Sequence, residues 1–120
     1  MAGTYDMRAD QGATFSDTIT WQEPAGGPVD LSGGTARMQV RRSAQSDKVA
    51  LELTTDDTLV TPHGTIVLGG VAGTITLTAP AEVMADVDAG WYRYDLFVVI
   101  GTVVTKLLEG SFTVTAQVTR

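Results

Sequence analysis

Apolar and polar residues alternate along most of this chain, and a period of two predicts strands. Phe15, Ile19 and Trp21 share one parity against Ser16, Thr18 and Thr20. Asp17 falls on the apolar parity, which marks a bulge or a sheet edge. Ala36, Met38 and Val40 alternate with Thr35, Arg37, Gln39 and Arg41. Val49, Leu51 and Leu53 do the same against Ala50, Glu52 and Thr54. Ile66 with Leu68, and Ile75 with Leu77, flank the glycine-rich turn 69–73 as a hairpin. Tyr92, Tyr94, Leu96, Val98 and Ile100 form one face of a long strand; Trp91, Arg93, Asp95, Phe97 and Val99 form the other. Both faces are apolar from Phe97 to Ile100, so this strand is expected to be central or covered by a partner. Gly101-Thr102 turns the chain into a last strand region, 103–118, with an interruption expected near Glu109-Gly110.

The breaks are equally regular. Gln11-Gly12 ends the polar lead-in, and Gln22 to Pro28 is a turn by composition. Pro80 suits the first turn of a helix, and Val83, Met84 and Val87 have the spacing to touch a core, so one short helical turn is predicted near residues 80–88. Residues 1–10, with Tyr5 and Met7 on one parity, read as an edge strand or a docking arm. As an arm, they are expected to be removable without loss of the fold but with loss of assembly. Short strands with a turn signal about every ten residues mean an all-β sandwich or barrel, here of seven to eight antiparallel strands.

Length and composition narrow the picture. The 120 residues fit one domain, 1–120, with enough chain for a real core. Without cysteine there is no disulfide framework and no thiolate metal site, which suits a reducing cytosol. The start Met1-Ala2-Gly3-Thr4-Tyr5 has no apolar stretch, so no secretory leader is expected. The apolar run Leu96–Ile100 is too short to span a membrane. Eight basic against fourteen acidic residues argue against a nucleic-acid partner, although Arg37, Arg41 and Arg42 cluster.

Candidate chemistry is sparse. His63 is the only histidine and sits in a loop with no nucleophile pattern nearby, so an exposed loop residue is expected. Asp56-Asp57 lacks the ligand spacing of a Ca²⁺ loop, and Asp86 and Asp88 have a suggestive spacing but no third acidic residue after them. Glu23, Glu52, Glu82 and Glu109 are scattered, and nothing in their spacing pairs two of them as in a glycosidase. The turn 69–73 lacks the Lys and Ser/Thr of a phosphate loop. No enzyme activity, cofactor or metal is expected. Trp21, Trp91 and Tyr5 are the residues a sugar-binding platform would use, with core packing the competing role for Trp21.

The corner Asp86-Val87-Asp88-Ala89-Gly90-Trp91-Tyr92 resembles the turn before strand F of immunoglobulin-like domains, where a tyrosine hydroxyl bonds back to nearby backbone. Tyr92 and Tyr94 are the candidates. Further segments extend the likeness: Gln11-Gly12-Ala13-Thr14-Phe15, Trp21, Pro28-Val29-Asp30-Leu31-Ser32-Gly33, Ala36 to Arg41, Gly73 to Leu77, Ala89 to Leu96, Leu107 to Val114 and Val118-Thr119-Arg120. In this order they resemble small structural proteins of tailed bacteriophages and prophages. They are also similar to the immunoglobulin-like N-terminal domain of phage baseplate upper proteins.

The resemblance implies an immunoglobulin-like β-sandwich and a non-enzymatic virion protein of the neck, collar, tail or baseplate, made in the host bacterial cytoplasm. It implies contacts with other virion proteins and a symmetric homo-oligomer, with no nucleic acid and no membrane. A capsid decoration protein and a carbohydrate-binding module for host adhesion are the competing roles. It carries over no catalytic residue. Partner contacts are expected at Tyr5, Met7, Arg37, Arg41, Trp91, Phe97 and Arg120.

Overall fold

The computed structural model describes residues 3–56, 58 and 62–119. Its strands are β1 (Gly3–Thr4), β2 (Met7–Asp10), β3 (Phe15–Thr20), β4 (Thr35–Arg41), β5 (Leu51–Thr54), β6 (Gly64–Leu68), β7 (Thr74–Ala79), β8 (Gly90–Ile100) and β9 (Val103–Thr115). One helix, α1 (Ala81–Ala85), and a 3-10 turn at Gly70–Ala72 complete the described elements. The protein is all-β, as the alternation predicts, with its helical turn where Pro80 places it.

The strands form one curled sheet in the order β1-β9-β8-β4-β5-β6-β7-β3, with β2 also on β9. It is mixed, which corrects the antiparallel expectation. β1 and β2 run parallel to β9, and β5 runs parallel to β6. The cause is local. The short Gln11–Thr14 turn sends the chain from β2 toward β3 at the opposite end of the sheet, so β2 meets the last strand side by side rather than through a hairpin.

Inward-facing residues of every layer meet in one core. Met38, Val40, Leu53, Ile75, Leu77, Ala79, Met84, Leu96 and Phe112 are almost fully enclosed. Phe15 and Phe112 touch edge to face, 5.3 Å between centroids, and so join the first long strand to the last. The β6–β7 hairpin pairs Ile66 with Leu77 and Leu68 with Ile75, as the glycine-rich turn predicts. The β8–β9 loop has two residues, and Gly101 takes φ +61°, the sign a type II′ turn requires at its first position.

Three details differ from the sequence pattern. β5 starts at Leu51 rather than Val49. β9 is continuous through Glu109-Gly110; the irregularity lies earlier, where Leu96 pairs with Leu108 and Phe97 with Lys106, leaving Leu107 as an extra residue. β9 ends at Thr115, so Val118 is exposed beyond it rather than continuing the inward row of Phe112 and Val114.

The N-terminal segment belongs to the fold. Met7 is 3% exposed and Ala9 7%, both inside the core cluster. This corrects Met7 as a surface partner contact, and β1 and β2 make the described part of the segment an edge strand on β9, the first of its two sequence readings. The link between β1 and β2 is fixed at several points. Tyr5 N–H donates to Glu109 O at 3.0 Å, and Ser111 N–H donates to Asp6 Oδ1 at 3.0 Å. The Tyr94 hydroxyl donates to the Tyr5 carbonyl. Gly110 lies under this crossing, where a Cβ would collide with the Tyr5 carbonyl oxygen.

A candidate contact face on the outer sheet

The outward side of β5, β4, β8 and β9 follows from strand parity and register. At one end Thr35, Val99 and Val104 form a row. The next row is Thr54, Arg37, Phe97 and Lys106, then Glu52, Gln39, Asp95 and Glu109. Arg41, Arg93 and Ser111 follow, and Trp91 with Thr113 ends the series. An apolar margin thus gives way to basic, acidic and basic rows, closed by an indole. A groove of about 960 Å³ runs over the first three rows, with Phe97, Val99 and Val104 among its walls.

Some charges are matched within the face. Arg37 Nε meets Glu52 Oε2 at 2.6 Å, and Lys106 Nζ meets Glu109 Oε1 at 3.0 Å. Arg41 donates to Ser46 O at 2.6 Å and to Gln39 Oε1 at 2.8 Å, which holds it against the β4–β5 loop. These solvent-facing pairs contribute little stability, typically below about 1 kcal/mol each. Their effect is to order long side chains on a flat surface. Arg93 lies 5.7 Å from the Trp91 ring centroid, a cation–π contact. Trp91 itself is 54% exposed.

Four of the residues singled out from sequence, Arg37, Arg41, Trp91 and Phe97, fall on this one face. Met7 lies in the core. Tyr5 lies between β1 and β2, its hydroxyl donating to Asp17 Oδ2 at 2.8 Å. Arg120 lies outside the described residues, as does Asp57 of the Asp56-Asp57 pair. Sequence reading placed Arg93, Asp95 and Val99 opposite the core but missed Glu52, Lys106 and Glu109 as their neighbours. Only cross-strand register, with its extra residue at Leu107, brings those together.

The other candidate chemistries do not converge. Glu52 and Glu109 share a row but are three strands apart, ~14 Å at ~4.8 Å per strand, beyond the separation of a glycosidase pair. Among the described residues no three of His, Asp and Glu group as metal ligands. Asp56 instead accepts from Thr58 N–H at 2.9 Å, and those bonds from Thr58 hold its carboxyl below the ordinary range. His63 is half-buried just before β6. The three aromatic residues of a sugar platform fall on different elements: Trp21 just past β3, Tyr5 between β1 and β2, Trp91 on β8. No described helix is long and apolar enough to cross a membrane.

No protein-family model matches the sequence, and no curated protein matches it significantly.

Proposed function

We propose that this chain is an immunoglobulin-like β-sandwich that works as a virion structural protein, joining other proteins of the neck, collar, tail or baseplate by surface contact. The carrying observation is the outer face of β5-β4-β8-β9. It presents Phe97, Val99, Val104 and an exposed Trp91 between ordered charges. Such a mixture of aromatic anchors and matched charge is how a protein-binding surface is built. A hydrolytic or redox site would instead need convergent titratable groups in a cleft.

Several features support the immunoglobulin-like part. The order β9-β8-β4-β5 corresponds to strands G, F, C and C′, and β6-β7-β3 to strands D, E and B. Among the described residues the two sets are joined in strand pairing only by the short parallel match of Leu53–Thr54 with Gly64–Thr65, where one sheet would fold over the other. α1 sits at the E–F corner, and the Tyr92 hydroxyl donates to Asp88 O at 2.6 Å, as a tyrosine corner does. The virion assignment itself rests on the ordered motifs that resemble phage structural proteins.

Cryo-electron microscopy of intact particles tests this directly. Density for the domain in the tail or neck region, with the Trp91–Val99 face buried against a neighbouring subunit, is the expected result. Absence of the chain from purified particles would sink the assignment.

A further inference from the structure

The charges of the outer face are arranged so that it fits a copy of itself. Its three charged rows hold four basic side chains (Arg37, Arg41, Arg93, Lys106) and three acidic ones (Glu52, Asp95, Glu109), a net charge of +1 in a chain of net charge −6. Elsewhere on the surface two copies repel; here they do not. Two opposite charges are also left over. Glu52 is taken by Arg37 and Glu109 by Lys106, while Asp95, between Gln39 and Glu109, has no ion-pair partner among the described residues. Arg93 contacts the Trp91 ring and lies near enough to Asp6 to lower its carboxyl, but makes no ion pair within 4 Å among the described residues. Asp95 and Arg93 are two residues apart on the same strand and the same side, and so sit in adjacent rows.

We infer that this face binds a second copy of the chain, with β8 lying antiparallel over β8 of the partner copy about a two-fold axis between the Asp95 and Arg93 rows. The geometry follows from the rows. A two-fold axis in the plane of the face and perpendicular to the strands reverses row order. Asp95 then faces Arg93 of the partner copy, and Arg93 faces its Asp95. One row further out, Phe97 meets Trp91 of the partner copy, twice by symmetry. The contact thus has two aromatic anchors outside two charge pairs, and each group of one copy supplies what the other lacks. With the axis there, only the rows from Phe97 to Trp91 overlap, at most ~19 Å by ~23 Å, a small contact of the size that weak, concentration-dependent dimers use. The inference rests on reading this face as a contact surface.

Charge exchange tests it on the full-length protein by sedimentation velocity. Wild type is expected to sediment as a dimer at high protein concentration, with self-association that weakens as salt is added. Asp95→Arg places two arginines opposite each other, and Arg93→Asp places two carboxylates opposite each other. Each is expected to lose at least about tenfold in self-association. An equimolar mixture of the two variants restores both pairs and is expected to dimerise again. Trp91→Ala, at an exposed position that cannot disturb the core, should weaken the dimer without touching charge. Circular dichroism confirms that each variant is folded.

A wild-type protein that stays monomeric overturns the inference. So do single variants that dimerise as well as wild type, or a mixture that stays monomeric. A monomer whose outer face is covered by a different protein in the particle would refute self-pairing and leave the structural role standing.

Discussion

The Tyr5 hydroxyl donates to Asp17 across the two ends of the curled sheet, at 2.8 Å. The other oxygen of the same carboxylate accepts Thr18 N–H at 2.9 Å. Asp17 breaks the apolar alternation of β3, and its contacts explain why. Among the described residues β3 pairs only with β7, in unbroken register from Phe15 to Thr20, so its other edge shows an unpaired row of backbone groups with no proline or bulge to protect it. The carboxylate occupies one of those groups and keeps a charge on the edge. Asp17→Val is therefore expected to leave the thermal midpoint nearly unchanged and to speed aggregation, read by light scattering. Aggregation no faster than wild type would remove the edge-guard role.

All three tyrosines are held neutral beyond their ordinary value of 10.0. For Tyr5 the main cause is its bond to the Asp17 carboxylate; for Tyr92 and Tyr94 it is burial. A raised folded-state value means the stabilisation is complete below pH 10 and is lost as pH rises through the folded-state values. Absorbance titration should show no phenolate step at the ordinary value, and Tyr94 should ionise last, together with unfolding. A tyrosine that titrates at 10.0 in the folded protein would contradict this.

The Tyr92 hydroxyl bond to Asp88 O ties β8 to the corner that follows α1. Arg42 covers the same ring, 4.2 Å from its centroid, so the bond is shielded. Tyr92→Phe keeps the ring packing and removes only the hydroxyl. The expected cost is about 1 kcal/mol, seen as a lower denaturation midpoint at constant slope. A midpoint equal to wild type would mean that the corner is held by packing alone.

Much of this architecture is legible in the alternation, because burial on one side of a strand writes itself into every second residue. Met38 and Val40, Ile75 and Leu77, Tyr92 to Val98 all face inward as their parity predicts. Long-range pairing is not written that way. Nothing local in Met7-Arg8-Ala9-Asp10 says that its partner is Phe112–Thr115 in parallel, since that choice depends on how the far end of the sheet curls. The contact face shows the same limit. Trp91, Phe97, Arg37 and Arg41 stood out by residue type, whereas Glu52, Lys106 and Glu109 join them only through register across four strands.

Asp6 lies on the surface, and its carboxyl is held below the ordinary 3.8 chiefly by the Ser111 N–H it accepts. A lowered folded-state value means that its contribution is present above 3.8 and is lost as pH falls through the lower value. Asp6→Asn should flatten the acid limb of the stability curve while leaving the neutral-pH fold intact. Urea midpoints measured across that pH range check it. An acid limb identical to wild type would show that Asp6 does not couple the arm to pH.

The N-terminal crossing makes the strongest demand on a single residue. Gly110 pairs with Tyr94 in the ladder and lies beneath the Tyr5 carbonyl that Tyr94 holds, so a side chain there and the crossing compete for one volume. Gly110→Val should cost at least about 1–3 kcal/mol by overpacking. The loss should concentrate in β1 and β2, because the crossing is the part that can lift away while β8 and β9 stay paired. Hydrogen exchange resolves the two regions: amides of Met7–Asp10 should lose protection while those of Tyr92–Val98 keep it. Met7→Ala, which empties a buried site without touching the crossing, should instead cost about 2–5 kcal/mol. If Gly110→Val leaves Met7–Asp10 protected as in wild type, the crossing has room that the geometry denies it, and the arm is held by the Met7 and Ala9 side chains alone.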